Sequence, residues 1–282
     1  MRRVVLPEHL VAHAREFADG TRTPAEPRNA ATVVLLRDGS QGLSVYLLRR
    51  QTSMAFAGGM CVFPGGGVDE RDFDASVAWA GPPPAEWAAR LHTDEPTARA
   101  LVCAAVRETF EESGVLLAGP SADEVVADTT PDDLEADRVA LEARELPLTE
   151  FLARRGLVLR SDLLGAWSAW TTPVFEPRRF RTWFFVAELP AGQRTRDVSS
   201  ESDRVAWLPV AGAMAAADAG EIALMPPTYL TCLEVGRLPT AAEVIAASTG
   251  RDLAMFTPTA QEEDGEMLLS FPEHLRPLLE EM

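Results

Sequence analysis

The feature that most constrains this chain is its longest helical pattern, Asp94 to Ser113, which ends in three carboxylates where a helix tolerates them least. At 100° per residue, Glu108, Glu111 and Glu112 fall within a sector of about 100°. Val102, Val106 and Phe110 lie on a different side and can face a core. Carboxylates at i, i+3 and i+4 repel one another by roughly 0.2–0.5 kcal/mol per pair on an exposed helix. Their place just before Gly114, at the negative end of the helix dipole, adds to that cost. Two readings stand: a solvated acidic face, or a site that a cation completes. If the second holds, an all-oxygen donor set matches Mg²⁺ or Mn²⁺ rather than zinc.

The pattern around this helix is mixed. A short amphipathic helix is expected over 7–18, stopped near Gly20 and followed by a linker with Pro24 and Pro27. Ala31–Leu36 and Leu43–Leu48 read as strands joined by a turn of Asp38, Gly39, Ser40 and Gly42, and Met60–Phe63 as a short strand running into Pro64. The stretch with Pro82, Pro83 and Pro84 reads as surface helix and loop. Val115–Leu117 reads as a strand, and 132–145 and 149–155 as helices. Strands return at 180–189 and 205–208, helices at 210–219, 228–235 and 240–247, and a hairpin at Asp264-Gly265. Strands and helices without a regular βαβ rhythm predict an α+β fold, an α/β/α sandwich with helical insertions.

The expected division is an N-terminal helix and linker (1–27), a central domain (28–238) with insertions at about 70–93 and 121–170, and a C-terminal helix and hairpin (239–282) packed on that domain. The 70–93 segment, rich in Pro and Ala, is expected to be a surface cap rather than core.

Charge and cysteine content exclude several classes. The formal charge is −17, with 43 acidic against 26 basic residues, and repels nucleic-acid phosphates. Cys61, Cys103 and Cys232 form no CxxC pair and no zinc pattern with the four histidines. Buried thiols in a reducing cytosol are the expectation. Glu8 and His9 break the apolar run after Arg2 and Arg3 too early for a signal peptide, and no stretch reaches a membrane span. A cytoplasmic protein with no nucleic-acid and no membrane partner is expected.

What decides between the two readings of the acidic helix is its context. Arg107-Glu108-Thr109-Phe110-Glu111-Glu112-Ser113-Gly114-Val115 resembles the second half of the Nudix box. That box runs glycine, five residues, glutamate, seven residues, then arginine-glutamate-apolar-x-glutamate-glutamate-x-glycine-apolar. Phe110 stands one place after the usual apolar position, which Thr109 occupies. Upstream, Phe63-Pro64-Gly65-Gly66 resembles the strand and turn that open the box. Gly66 to Arg107 is 41 residues where the family has fourteen, so about 27 have been inserted. Counting back from Arg107 puts Arg99 at the first glutamate's place, leaving Asp69, Glu70, Asp72 or Glu95 as alternatives.

An interrupted box is similar to the Nudix branch that includes the peroxisomal acyl-CoA diphosphatases. Phe180-Arg181-Thr182-Trp183-Phe184-Phe185, Trp207-Leu208-Pro209 and Pro226-Pro227-Thr228 agree with it. A coenzyme A signature, arginine-x3-glycine-x3-F-P-G-G, is met in part: Gly59 and Phe63–Gly66 fit, and Ala55 stands where the arginine belongs. The resemblance implies a Mg²⁺- or Mn²⁺-dependent hydrolase of a nucleotide-linked diphosphate, coenzyme A or acyl-CoA first. ADP-ribose or a dinucleotide is the alternative, and a non-catalytic binding module the third. It implies Glu108, Glu111 and Glu112 as metal ligands and Arg107 as their orienting partner. Gly65, Gly66, Gly67, Arg179 and Arg181 would contact a small-molecule substrate, with Glu201 or Asp203 supplying a late metal ligand or the general base. A homodimer is compatible with it.

Overall fold

The structure, a computed structural model, describes residues 5–18, 20, 22–52 and 58–280. Helix α1 (Glu8–Ala18) precedes a long strand β1 (Arg28–Gly39) and its hairpin partner β2 (Gly42–Arg50). Two short strands follow, β3 (Cys61–Val62) and β4 (Gly65–Gly67), then a 3-10 turn at Glu70–Phe73. Next come β5 (Trp79–Ala80), α2 (Pro84–Leu91), α3 (Glu95–Ser113), β6 (Ala118–Gly119), α4 (Asp132–Glu142), α5 (Leu148–Arg155) and β7 (Val158–Arg160). Strands β8 (Gly165–Thr171), β9 (Phe180–Glu188) and β10 (Ser202–Pro209) lead into α6 (Val210–Asp218), α7 (Pro226–Val235) and α8 (Ala241–Ala247). The hairpin β11 (Ala260–Glu263) and β12 (Glu266–Leu269) and the short α9 (Arg276–Glu280) end the described chain.

The main sheet runs β10-β2-β1-β9-β8, mixed, with β1 and β9 parallel. Period-two alternation builds its two faces. Ala31, Val33, Leu35, Tyr46, Leu48, Trp183 and Phe185 point to the side holding α2 and α3. Val34, Leu36, Val45, Leu47, Phe184 and Val186 point to the side holding α6, α7 and α8. Helices on both faces of one sheet make the α/β/α sandwich. β1 is long enough to share one edge between two partners: β2 holds Leu36–Gly39, and β4 holds Ala30–Thr32. That division brings the glycine strand into the sheet beside α3. Outside this sandwich, α1 packs with Phe175 and the β11–β12 hairpin, where Leu6 N–H donates to the Met267 carbonyl at 2.8 Å.

Three expectations need correction. The 70–93 segment is not a surface cap. Trp87 is 0% and Leu91 2% exposed, and both belong to the core under α3. Their i, i+4 spacing on α2 aims them together against α3, while the prolines and alanines around them hide the pattern. Leu91→Ala is therefore expected to cost about 2 kcal/mol of stability. A urea midpoint unchanged from wild type, as an exposed position would give, would restore the cap reading.

Val115–Leu117 forms no ladder although all three residues are fully buried. Leu116 N–H donates to the Gln193 side-chain oxygen at 2.9 Å, and the Gln193 amide donates back to the Leu116 carbonyl at 2.9 Å. One glutamine side chain thus replaces a neighbouring strand, and pairing begins two residues later in a small sheet of order β5-β7-β6. Strand β8 was not expected, because Gly165, Ala166, Ser168 and Ala169 interrupt what would otherwise read as an apolar run.

Candidate active site

Helix α3 begins at an Asp94 cap, whose carboxylate accepts from Thr97 N–H at 2.8 Å, and ends at Gly114 in the left-handed region. Its acidic end is packed inside the protein: Arg107 is 8%, Glu111 7% and Glu112 8% exposed. The solvated-face reading is therefore excluded. β4 lies alongside. Gly65 N–H donates to the Glu112 carboxylate at 2.8 Å. A Cβ on Gly66 would stand 2.5 Å from a Glu108 carboxylate oxygen, and one on Gly65 2.5 Å from the Ala31 carbonyl. These glycines do not adopt positive φ, so strained backbone angles do not explain them. They are needed for close approach. Gly67 has open space where its Cβ would be.

Arg107 is the hub. Its guanidinium reaches Asp72 twice (2.9 and 3.1 Å), Glu108 at 2.7 Å, the Gly67 carbonyl at 3.0 Å and, more loosely, Glu111 at 3.3 Å. Asp72 is the acid that counting back from Arg107 missed. It lies six residues after Gly66, where counting forward places the first acid of the box, so the insertion falls between Asp72 and Arg107. Only 3% exposed, Asp72 is fixed from its own side by a capping box with Asp69. Asp69, Glu70 and Glu95 do not pair with Arg107. Arg138 of α4 is a second contributor that no sequence signal indicated. Buried, it donates to the Glu111 backbone carbonyl at 2.7 Å and sets a cation at the negative end of α3.

Three acids on one guanidinium, with Glu112 beside them, leave the site short of positive charge. Burial pushes the Glu108, Glu111 and Glu112 carboxyls upward, Glu111 to about 7. The Glu108 charge adds to the rise at Glu111 and Glu112, while Arg107 opposes it at Glu108 and Glu111. A hard divalent cation fits this donor set in charge and chemistry. Among the described residues no three acidic, histidine or cysteine side chains already converge on one point. Glu108 and Glu111 turn to Arg107, and Glu112 to Gly65.

The remaining predicted residues separate. Glu201 is near enough for its charge to raise both Glu108 and Glu112, and its carboxylate pairs with Arg50 at 3.2 Å. Asp203 is held by Arg49 at 2.6 Å, and its charge is felt by Cys61. Arg179 donates to the Thr172 and Ala25 carbonyls, and Arg181 to that of Pro27 beside Glu26. All three cysteines are free and buried, and burial pushes each thiol up. Ala55 lies outside the described residues. Among the described residues no helix is long and apolar enough to cross a membrane.

The sequence profile of the NUDT19 Nudix domain matches residues 84–238, more than half of the chain. The chain belongs to the Nudix hydrolase family. Its fold is similar to a crystal structure of a Nudix hydrolase from Alicyclobacillus acidocaldarius, with a TM-score of 0.68 and 26% identity over 79% of this chain and 96% of that one. The acyl-coenzyme A diphosphatase NUDT19 of Xenopus laevis is 25% identical over 228 residues, 68% of this chain and 60% of that one. A Caenorhabditis elegans protein with the nudix hydrolase 7 designation is 28% identical over 200 residues, 71% of this chain and 57% of that one. The chain thus spans about three-fifths of the length of these relatives. Nudix hydrolases generally use divalent metal ions, in keeping with the unbalanced carboxylates on α3.

Proposed function

We propose that this chain is a Mg²⁺-dependent diphosphatase acting on coenzyme A or its thioesters, with residues 28–238 as the catalytic unit. The observation that carries the reading is the buried set of Asp72, Arg107, Glu108, Glu111 and Glu112 against the glycine strand. Glu108, Glu111 and Glu112 would hold Mg²⁺ (or Mn²⁺), which when bound neutralises diphosphate charge and acidifies water. Arg107 orients Glu108 and Glu111, and is itself oriented by Asp72. The Gly65 N–H fixes Glu112, and the bare Gly66 lets Glu108 lie against the strand. Glu201, whose charge is felt at Glu108 and Glu112, is the group to take the attacking water's proton, with Asp203 the alternative. Hydrolysis adds water across the P–O–P bridge, giving adenosine 3′,5′-bisphosphate and a 4′-phosphopantetheine product.

The substrate class is supported by the NUDT19 domain match and by the acyl-coenzyme A diphosphatase among the relatives. The incomplete coenzyme A signature at Ala55 favours a second reading, an ADP-ribose or dinucleotide diphosphatase. A panel of CoA, dephospho-CoA, ADP-ribose and NADH at equal Mg²⁺, with products weighed by mass spectrometry, separates them. Phosphopantetheine release with the highest kcat/KM on CoA is expected. A preference for ADP-ribose or NADH over both CoA forms would overturn the substrate, and no Mg²⁺-dependent turnover would overturn the activity.

A further inference from the structure

Past the bond from Val68 N–H to the Asn29 carbonyl, at 2.9 Å, an open cleft of about 530 Å³ lies at the start of β1. It is lined by Arg28, Val68, Asp69, Glu70, Arg71 and Arg144. Three arginines converging on one cleft stand out in a chain of net charge −17. Asp69 is engaged by Arg71 through two contacts, at 2.9 and 3.1 Å, and Arg71 also donates to the Arg144 carbonyl at 2.9 Å. Among the described residues, neither the Arg28 nor the Arg144 guanidinium has a carboxylate partner. Arg144 moreover occupies a left-handed position (φ 60°) just past α4, where glycine is the ordinary choice.

The cleft continues the line of the active site. Along β4 and onward, Gly65 meets Glu112, Gly66 meets Glu108, and the Gly67 carbonyl meets Arg107. Val68 and Asp69 then form the cleft wall. Gly66 to Asp69 is three residues, about 10 Å of extended chain. That separation suits an anion carried on the far side of a ribose from a diphosphate at the glutamates. Arg179, just before β9, and Arg181 on it do not line this cleft, and each donates to a backbone carbonyl elsewhere.

We infer that the Arg28–Arg71–Arg144 cleft is a subsite for a second phosphate of the substrate, one borne by the ribose rather than by the scissile diphosphate. The inference rests on the diphosphatase reading above. Arg71, braced by Asp69, holds the Arg144 backbone, and Arg28 and Arg144 supply the free guanidinium donors that phosphate prefers.

The test combines Arg28→Gln with Arg144→Gly, the latter chosen because glycine suits the left-handed position and should raise Tm slightly rather than unfold the chain. CoA and dephospho-CoA differ only in the ribose phosphate. The ratio of their kcat/KM values is expected to fall roughly thirtyfold in the double variant, chiefly through KM, as losing two charge-assisted contacts implies. Calorimetry on the metal-free protein should show adenosine 3′,5′-bisphosphate binding more tightly than AMP in wild type and equally in the variant. A ratio unchanged by the substitutions, or a wild type that does not distinguish the two nucleotides, would overturn the subsite. Absence of turnover on every substrate would remove the diphosphatase reading alone, and the calorimetric comparison would then decide the subsite.

Discussion

Glu112→Gln is expected to lower kcat by two to three orders of magnitude while leaving the protein folded. The carboxamide oxygen can still accept from Gly65 N–H, now at 2.8 Å, so the strand contact survives. What disappears is one negative charge at the metal position, and a loss of about 3–4 kcal/mol in transition-state stabilisation gives that fall in rate. Stability should move the other way. Burial raises the Glu112 carboxyl well above its usual range, and the Glu108 charge raises it further, so a neutral side chain relieves repulsion in the metal-free protein.

The same shifts fix the pH dependence. A carboxyl raised on folding contributes stability that is fully present below its unfolded value, near 4.5, and lost as pH climbs through its folded value, about 7 at Glu111. The metal-free Tm should therefore fall between pH 5 and pH 8. Added Mg²⁺ competes with those protons and should raise Tm more at pH 8 than at pH 6. Thermal melts of wild type and Glu112→Gln across this range, with and without Mg²⁺, read both effects. Wild-type turnover in the variant, or a wild-type Tm insensitive to pH and Mg²⁺ alike, would remove Glu112 and its neighbours from the metal site.

What the sequence disclosed follows from how local each signal is. Glu108, Glu111 and Glu112 lie within five residues, so helix geometry alone places them together. Asp72 reaches Arg107 across 35 residues, most of them inserted, and only closure of the turn onto α3 makes the pair. Arg138 closes on the end of α3 from α4, and nothing in its own helix marks it. Arg179 and Arg181 look like substrate arginines on paper; each also donates to a carbonyl 154 residues earlier, Ala25 and Pro27, a contact that no local pattern announces. β1, β2 and β9 were legible as runs of large apolar residues although both their faces are buried; β8, interrupted by Gly165, Ala166, Ser168 and Ala169, offers no such run. At Gly65 and Gly66 the absent Cβ is what the fold uses, since α3 and β1 lie too close for one, and neither residue has a positive φ.

Arg107→Met should be the most destabilising single change at the site, at about 3–5 kcal/mol near pH 8. Removing the guanidinium leaves Asp72, at 3% exposure, as a buried carboxylate without its cation, beside three more acids. Methionine fills much of the same volume, so the loss is electrostatic and not a cavity effect. The cost should shrink toward pH 5, where Glu108, Glu111 and Glu112, raised by burial, take up protons and relieve the repulsion. Adding Asp72→Asn then tests whether the pair acts as a unit. Asparagine keeps an oxygen for the Asp69 N–H contact, now at 2.8 Å, and removes the stranded charge. The double variant is therefore expected to recover about 2 kcal/mol relative to the sum of the single costs. Turnover should not return, because Glu108 and Glu111 still lack the group that orients them. Urea midpoints of the two single variants and the double give the coupling directly. Costs that add to within about 0.5 kcal/mol would mean that Asp72 and Arg107 are neighbours rather than partners.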